Sequence, residues 1–324
     1  MLLDSCGREI DYLRLSVTDR CNLNCIYCSP KEVHWHRRGE ILSYEEMVTL
    51  IDITASMGVK RVRLTGGEPL LRRDFVSFIE KIASLGRGLD LSLTTNGILL
   101  PEMAADVFRA GLGRINISLD TLDEEKYGEI TGADALQRVL HGIEVALGVG
   151  FDPLKLNVVV VKGLNDDEVD SFVKMAESKP VTVRFIEFMP GGVAQWDRSR
   201  LIPSSVILER LRRDCGLTRK EKGNGGGPSV DYSSPRMAGR IGFISSVTEP
   251  SCETCNRLRV TAEGKLRPCL FSENEFDLKA ALRGKNPEED VKRAVLNAVQ
   301  AKPRGHLLQD SCGQTGRPMA QIGG

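Results

Sequence analysis

Residues 12–28 read YLRLSVTDRCNLNCIYC, a short β-prone run followed at once by three closely spaced cysteines. Across residues 12–18 apolar and polar side chains alternate, which is the pattern of a strand with one buried face and one polar face. The cysteines come directly after this strand, and parallel α/β proteins place their ligand sites at the carboxyl ends of their strands. The stretch therefore predicts an α/β architecture with a thiol-lined site at the edge of its sheet.

Strand and helix patterns continue to alternate as far as residue 188. Short β-rich runs separated by helix-length stretches predict parallel strands joined by helical crossovers. The strands are expected at Tyr12–Thr18, Arg61–Thr65, Leu91–Thr95, Arg114–Leu119, Leu154–Val161 and Val181–Phe188. The helices are expected after a capping box formed by Ser43 and Glu46, and at about Phe75–Leu85, Met103–Ala110, Leu136–Leu147 and Glu168–Ala176.

The polar residues of these strands distinguish a doubly wound sheet from a βα barrel. A parallel sheet covered on both faces reads as continuous apolar runs, whereas here every second strand residue is polar. The polar positions are Arg14, Ser16, Thr18, Arg61, Arg63, Thr65, Ser92, Thr94, Asn96, Asn116, Ser118, Asp120, Lys155, Asn157 and Arg184. Six βα units are fewer than the eight of a closed barrel, so we expect a partial (β/α)6 TIM-type barrel around a polar, cationic lumen that suits an anionic ligand. An ordinary half-solvated sheet is the alternative.

The alternating pattern stops after Pro190. A Gly-rich loop at residues 223–228 indicates a flexible connection, and more cysteines follow it. We therefore expect a partial-barrel core at residues 1–195. A C-terminal domain is expected at residues 196–324, ending in Gly323-Gly324.

Composition excludes several classes of function. The 324 residues include 44 basic and 44 acidic ones, so the formal net charge of zero gives no global attraction to nucleic acid or to an anionic membrane. No apolar run reaches the roughly 18 residues of a membrane span, and the N-terminus lacks the basic and apolar segments of a secretory signal. We expect a cytoplasmic protein, and in that reducing compartment nine cysteines favour metal or redox chemistry over disulfides.

Six of the cysteines form two groups of three. The first triad is Cys21, Cys25 and Cys28, and the second triad is Cys252, Cys255 and Cys269. Structural zinc needs four ligands, whereas a cubane iron–sulfur cluster can be held by three cysteines with one iron left open, which favours a [4Fe-4S] cluster at each triad. Zinc stays open as an alternative, with a fourth ligand from Cys6, His34 or His36 at the first triad and from Cys215 or Cys312 at the second.

The first triad, with the aromatic Tyr27 before its last cysteine, resembles the signature of the radical S-adenosylmethionine superfamily. The segment Thr65-Gly66-Gly67-Glu68-Pro69, after the second strand, is similar to the Gly-Gly-Glu-Pro segment that lines the methionine end of the cofactor in that superfamily. Adjacent glycines let the backbone approach a ligand closely, and Glu68 offers an acceptor nearby. The resemblance is stronger because both segments are present and follow consecutive strands.

A closer resemblance covers nearly the whole chain. The lead-in at residues 11–21, the segment Arg184–Met189, the spacing of both triads and the final Gly323-Gly324 are similar to the GTP 3',8-cyclase family of molybdenum cofactor biosynthesis. The resemblance implies two [4Fe-4S] clusters and S-adenosylmethionine, which together convert GTP to (8S)-3',8-cyclo-7,8-dihydroguanosine 5'-triphosphate. In that family a 5'-deoxyadenosyl radical takes hydrogen from C3' of the ribose, the carbon radical attacks C8, and the second cluster holds the base.

The resemblance also assigns roles to single residues. The contacts to S-adenosylmethionine fall on Tyr27, Gly67, Ser118 and Met189. The contacts to GTP fall on Arg14, Arg63, Thr94, Lys155, Arg257, Leu258 and Arg259. Gly323 and Gly324 are expected to reach into the active site. The family further implies a homodimer and a downstream partner, a pyranopterin monophosphate synthase.

Two other functions remain as alternatives. Another radical S-adenosylmethionine enzyme with an auxiliary cluster, acting on a peptide or other substrate, would not need the cationic lumen. A zinc-stabilised βα scaffold that binds a nucleotide or a partner would be non-catalytic. Conventional phosphate-loop and dinucleotide fingerprints are missing from the sequence. Arg20, Arg61 and Arg184 fit a surface role as well as a ligand role, and His34, Trp35 and His36 are expected to pack in a loop.

Overall fold

The structure is a computed structural model that describes residues 1–28, 35–190, 196–221, 227–306 and 317–323. Its first six strands are β1 (Tyr12–Ser16), β2 (Arg61–Thr65), β3 (Asp90–Thr95), β4 (Arg114–Ser118), β5 (Leu154–Val160) and β6 (Val181–Glu187). The later strands are β7 (Thr218–Arg219), β8 (Val230–Ser233), β9 (Arg240–Ile244), β10 (Arg257–Val260), β11 (Lys265–Arg267) and β12 (Phe276–Asp277).

Helices connect these strands. They are α1 (Tyr44–Ser56), α2 (Phe75–Ala83), α3 (Leu100–Arg109), α4 (Glu124–Thr131), α5 (Leu136–Val149), α6 (Val169–Ser178), α7 (Ser204–Cys215), α8 (Leu278–Leu282), α9 (Pro287–Gln300) and α10 (Met319–Ile322). The predicted capping box before α1 is confirmed, because the Ser43 hydroxyl accepts from the Glu46 amide at 3.2 Å and the Glu46 carboxylate accepts from the Ser43 amide at 2.7 Å. Sequence reasoning missed α4, which is short and largely polar.

The described strands form one open sheet in the order β12-β11-β10-β1-β2-β3-β4-β5-β6-β9-β8-β7. The eight neighbours from β10 to β9 run parallel, and the outer strands pair antiparallel. The predicted partial barrel is confirmed. Two parallel strands that sequence reasoning missed, β9 and β10, extend it at both sides. No helix in these described ranges is long and apolar enough to cross a membrane.

The apolar residues of each strand face the helices. Leu13, Leu15, Val62 and Leu64 are at most 1% exposed and belong to one continuous core with the apolar faces of the surrounding helices. Because side chains alternate along a strand, the polar residues between them face the opposite, inner side of the sheet. Burial of the outer face therefore orients the polar residues toward the lumen.

The chain after residue 195 shares the sheet of the chain before it. β9 pairs with β6, and β10 pairs with β1, with Tyr12 opposite Arg257 and Arg14 opposite Arg259. The domain boundary expected near residue 195 falls in 191–195, outside the described residues. The division at that point stays a prediction.

Candidate active site

A cavity of about 480 Å³ lies on the inner face of the parallel strands. Pockets for small molecules commonly have volumes of 300 to 1,000 Å³. The strand residues that line this cavity include Tyr12, Arg14, Arg61, Arg63, Ser92, Thr94, Arg114, Asn116, Lys155, Asn157, Arg184, Arg257 and Arg259. The polar inner face predicted from the strand pattern is therefore confirmed for most of its length.

The cavity is strongly cationic. Its described lining holds eleven lysines and arginines but four aspartates and glutamates, so a neutral chain encloses a positive site. Burial and neighbouring cations lower the pKa of Lys155 to about 8, that of Arg184 to about 9 and that of Arg259 to about 10. These groups still carry charge near neutral pH, and an anionic ligand would relieve their mutual repulsion.

Part of this charge is already neutralised inside the protein. Arg61 donates to both carboxylate oxygens of Asp11, at 2.7 and 2.6 Å. Arg63 instead donates to the Tyr12 hydroxyl and, at 3.4 Å, to the Thr94 hydroxyl. Neutral partners of this kind orient a guanidinium without cancelling its charge, and such oriented forks suit phosphate oxygens.

The second triad lies at the amino end of the parallel strands. Cys252, Cys255 and Cys269 all line the cavity. Cys255 lies two residues before β10, whose first residue, Arg257, pairs with Tyr12 at the start of β1. The second triad therefore forms one end of the cavity.

The first triad lies beyond the opposite, carboxyl end of β1. Its loop is held by the end of α4, because the Asn24 amide donates to the Thr131 carbonyl at 2.8 Å and the Ile26 amide donates to the Ile130 carbonyl at 3.0 Å. Five strand residues at about 3.3 Å each span roughly 13 Å along β1, so the triads are separated by at least that length. The second triad lines the cavity, whereas the first triad lies beyond the carboxyl end of β1 and is not part of the cavity lining.

Both triads fit iron–sulfur clusters by the chemistry of their donors. All six cysteines are outside disulfides and only partly exposed. Burial, together with the charges of Cys28, Asp120 and Cys21, raises the pKa of Cys25 well above its usual value, so three thiolates there require a cation. Burial also opposes ionisation of Cys255, but Arg257 and Lys302 lower the pKa of its thiol to about 6.

The triads do not converge in the way that a single ion requires. No three His, Cys, Asp or Glu side chains within the described ranges could hold one metal ion. A cubane cluster does not require such convergence, since each of its irons takes its own thiolate. His36, considered as a possible zinc ligand, lies 3.6 Å from Glu263 and 3.9 Å from Glu40. His34 and Cys312 lie outside the described residues.

The Gly66-Gly67-Glu68 segment packs closely against neighbouring backbone and accepts hydrogen bonds from it. A β-carbon at Gly66 would lie 2.2 Å from the Thr18 carbonyl oxygen, and one at Gly67 would lie 2.3 Å from the Arg20 carbonyl oxygen. Glu68 is fully buried and accepts from the Leu70 amide, the Thr95 hydroxyl and the Asn96 amide. The glycines and Glu68 therefore hold the β1 and β3 ends together beside the first triad, and the ligand contact expected of Gly67 stays a prediction.

The residues expected to contact S-adenosylmethionine lie at or after the carboxyl ends of strands. Tyr27 donates a hydrogen bond to Asp120, which follows β4. Gly67 follows β2, and Ser118 is the exposed last residue of β4. Met189 lines the cavity just after β6. This end of the lumen thus combines the first triad with the four residues expected to bind the cofactor.

Six of the seven residues expected to contact GTP line one cavity: Arg14, Arg63, Thr94, Lys155, Arg257 and Arg259. Leu258 is 1% exposed and belongs to the apolar core on the other face of β10. Its side chain therefore stabilises the strand that presents its two arginine neighbours.

The C-terminal segment crosses from the first triad to the cavity arginines. The Met319 amide donates to the Cys28 carbonyl at 3.3 Å. At its other end the Gly323 carbonyl accepts from Arg14 at 3.0 Å and from Arg259 at 2.8 Å. Gly323 has φ +73°, and a β-carbon there would lie 2.6 Å from the Ser16 hydroxyl oxygen, so both backbone and space require glycine. Gly324 lies outside the described residues.

Several cavity residues were missed or left undecided by sequence reasoning. Tyr12 and His306 line the cavity and were not singled out. Arg184, which the sequence left undecided, is 6% exposed and donates to the Asn157 amide oxygen at 2.6 Å. Arg61 lines the cavity as well, whereas Arg20 is exposed. The alternation in residues 257–260 could have revealed β10, but nothing in the local sequence points to His306.

An open βα barrel with a cysteine triad after its first strand defines a radical S-adenosylmethionine protein. The sequence profile of the Radical SAM superfamily matches residues 15–176, and that of Molybdenum Cofactor Synthesis C matches residues 181–308. The GTP 3',8-cyclase of Thermodesulfovibrio yellowstonii is 43% identical over 323 residues, covering 99% of each chain. This chain belongs to the GTP 3',8-cyclase family.

Other similar proteins agree with this assignment. The GTP 3',8-cyclase of Geobacter sulfurreducens is 44% identical over 326 residues, which cover 100% of this chain and 99% of the relative. The crystal structure of Streptococcus suis SuiB bound to S-adenosylmethionine has a TM-score of 0.57 at 13% identity. The match covers 86% of this chain and 62% of the SuiB chain, less than two thirds of its length, and at that identity it shows the fold alone. Membership of the radical S-adenosylmethionine family implies S-adenosylmethionine and a [4Fe-4S] cluster as cofactors.

Proposed function

We propose that this protein converts GTP to (8S)-3',8-cyclo-7,8-dihydroguanosine 5'-triphosphate, the first step of molybdenum cofactor biosynthesis. The single observation that carries the proposal is a cationic cavity with one thiol triad in its lining and the other beyond the carboxyl end of β1. A nucleoside triphosphate is both long and highly anionic, so it matches the length and the charge of this lumen. A peptide substrate would gain nothing from eleven cavity cations.

In this proposal the arginines and Lys155 bind the triphosphate and fix the nucleotide along the lumen. Arg63 and Arg184 are held by neutral partners, so their charge is available to phosphate oxygens. Thr94 and Asn157 supply neutral hydrogen-bonding groups beside them. The second triad, with its cluster, binds the base at the amino end.

The carboxyl end of the lumen is the cofactor end in this proposal. Cys21, Cys25 and Cys28 hold a [4Fe-4S] cluster, and Tyr27, Gly67, Ser118 and Met189 bind S-adenosylmethionine. When bound, the cluster and the cofactor supply a radical that removes hydrogen from C3' of the ribose. The backbone hydrogen bonds of the first-triad loop to α4, and those of Gly67 and Glu68 to the residues after β1, hold this end in place and so fix the distance between the radical source and the ribose.

The C-terminal tail would complete the site between these two ends. Gly323 already contacts the two arginines that are expected to bind GTP, so a bound nucleotide and the tail share the same cations. The tail also limits the access of water to the carboxyl end, where a radical has to be protected. Gly323 and Gly324 are therefore proposed to position the ribose and to exclude solvent.

Further properties follow from family membership as proposals. We propose a homodimer, a cytoplasmic location, and a pyranopterin monophosphate synthase as the protein that consumes the product. Cysteines outside disulfides among the described residues are in keeping with a reducing compartment.

The experiment that tests the function is anaerobic reconstitution with iron and sulfide, followed by S-adenosylmethionine, a reductant and each nucleoside triphosphate in turn. We expect a cyclised product from GTP alone, with 5'-deoxyadenosine formation that depends on GTP. Formation of 5'-deoxyadenosine that is independent of GTP, without a cyclic product, would favour an auxiliary-cluster enzyme with another substrate. Zinc in place of iron in anaerobically purified protein would favour the non-catalytic scaffold.

We expect kcat/KM for GTP to fall as the pH rises above about 8. Burial and neighbouring Arg184 lower the pKa of Lys155 to about 8, so its ammonium loses its charge in this range. Burial disfavours the Tyr12 phenolate, but Arg63 and Arg14 outweigh that effect and lower the pKa of Tyr12 to about 8, so a negative charge forms there. Both changes make the cavity less positive, and the fall should be roughly three- to tenfold by about pH 9.

Initial rates at low GTP between about pH 7 and pH 9 measure this effect. The matched variant combines Lys155→Arg, which keeps the positive charge, with Tyr12→Phe, which cannot ionise. Its profile is expected to fall much less than that of the parent, and the slope that remains is assigned to Arg184, whose pKa burial and neighbouring Arg63 lower to about 9. A slope equal to that of the parent in this double variant would assign the pH dependence to other groups.

A further inference from the structure

Two buried cations lie beside the second triad, and one of them, Lys302, also lines the cavity. Arg8, in the N-terminal segment, is 9% exposed, and Lys302, just after α9, is 3% exposed. Buried lysines and arginines are rare unless they are paired, so each of them requires a reason. Neither residue belongs to the nucleotide and cofactor contacts described above.

Lys302 connects the segments that carry two of the three thiols. Its ammonium donates to the Arg257 carbonyl at 2.7 Å and to the Pro268 carbonyl at 2.6 Å. Arg257 lies two residues after Cys255, and Pro268 directly precedes Cys269.

Arg8 holds the third segment in the same way. One of its terminal nitrogens donates to the Cys252 carbonyl at 2.8 Å and to the Arg304 carbonyl at 3.1 Å, and the other donates to the Pro303 carbonyl at 2.7 Å. The Arg8 Nε atom is paired with the buried Asp4 carboxylate at 2.6 Å. Arg8 therefore links one thiol segment to the residues that directly follow Lys302.

We propose that Arg8 and Lys302 are positioning residues that assemble the second triad and supply positive charge to the anionic cluster on it. The inference rests on the proposed function, because it assumes that the second triad holds a cluster. Their hydrogen bonds reach backbone carbonyls at or beside all three cysteines, those of Cys252, Arg257 and Pro268. Outer groups of this kind change metal affinity about 10- to 100-fold, and net charge and hydrogen bonding set cluster potentials.

The test uses the full chain with Cys21, Cys25 and Cys28 changed to serine, so that a cluster can form at the second triad alone. In this parent, Lys302→Met is compared with Lys292→Met. Lys292 is the matched control, because it is an exposed lysine of α9 whose ammonium pairs with Glu288 at 2.5 Å. Circular dichroism and thermal unfolding establish that each variant is folded.

We expect Lys302→Met to lower cluster retention under a chelator challenge about 10- to 100-fold relative to the parent. Its midpoint potential, followed by electron paramagnetic resonance, should shift to more negative values, because a nearby positive charge that favours the reduced cluster is lost. Lys292→Met should leave both quantities at the parent values. Arg8→Lys keeps the charge but loses the guanidinium fork, so it should weaken retention with little change in potential.

Each result has a distinct meaning. Parent-like retention and potential in both Lys302→Met and Arg8→Lys would overturn the inference. Because Arg8→Lys keeps a cation at its site, it supplies the test if Lys302→Met does not fold. A parent that binds no cluster would contradict the second cluster itself, and with it both the proposed function and this inference. None of these readouts requires GTP turnover.

Discussion

Deletion of Gly323 and Gly324 is expected to lower GTP cyclisation about 100-fold or more, since misplacement of a reacting group by about 1 Å can cost that much. The physical reason is the position of Gly323, whose carbonyl accepts from Arg14 and Arg259 on adjacent strands of the lumen. Without it, the two guanidiniums lose the contact that joins them to the tail. The ribose then lies in a wider and wetter site.

The deletion should leave the fold intact, because the buried residues Ala320 and Ile322 of α10 remain. Anaerobic assays of cyclic product, together with thermal unfolding, measure the two effects separately. Gly323→Ala is a milder variant of the same position. Its side chain would be strained, because the residue has φ +73° and the β-carbon would lie 2.6 Å from the Ser16 hydroxyl oxygen. We expect its activity to lie between those of the parent and the deletion. Full turnover by the deleted protein would contradict a role for the tail.

Replacing Cys269 by alanine is expected to abolish GTP cyclisation while the first cluster remains. Cys269 lines the cavity at its amino end, and its loss leaves two thiolates where a cluster is proposed to need three. The effect should exceed the roughly 100-fold typical of outer-shell changes, since a ligand itself is removed. The first triad lies beyond the other end of β1 and has no residue in common with this site, so its iron should persist.

Iron content and electron paramagnetic resonance of the variant report whether the first cluster remains, and product assays report the loss of cyclisation. Cys215→Ala is the control, because Cys215 is a free cysteine at the end of α7 that packs against the apolar core. We expect it to keep both clusters and near-parent turnover. GTP turnover by Cys269→Ala at the parent rate would refute a catalytic need for the second triad.

The sequence predicted the parts of the fold that depend on local pattern. The alternation in β1 to β6 distinguished a buried face from a polar one, because one-sided burial forces a period of two. It also brought Arg14, Arg63 and Lys155 to one surface before any contact was known. The short strands β9 and β10 escaped notice because only a few residues carry their pattern.

Some features of the candidate site could likewise be predicted from the sequence, and others required the tertiary structure. Cysteine spacing within each triad is a local property, so the sequence identified both triads directly. The sequence identified the glycines of the Gly66-Gly67-Glu68 segment. It could not show that the backbone of Thr18 and Arg20 leaves no room for a β-carbon at Gly66 and Gly67, because these residues belong to another segment. The alternation of residues 257–260 already separates Leu258 from its arginine neighbours, and the structure places its side chain in the apolar core on the other face of β10.

The amino-acid sequence by itself thus determined a partial barrel with a polar lumen and two thiol triads. Only the tertiary structure placed the triads beyond opposite ends of β1 and the second triad in the cavity lining. It also brought the last described residue against Arg14 and joined Arg8 to Cys252, 244 positions away in sequence. The physical reason is that side-chain periodicity and ligand spacing act between near neighbours in sequence. The meeting of distant segments depends on how the whole sheet buries its outer face, which no single stretch of sequence encodes.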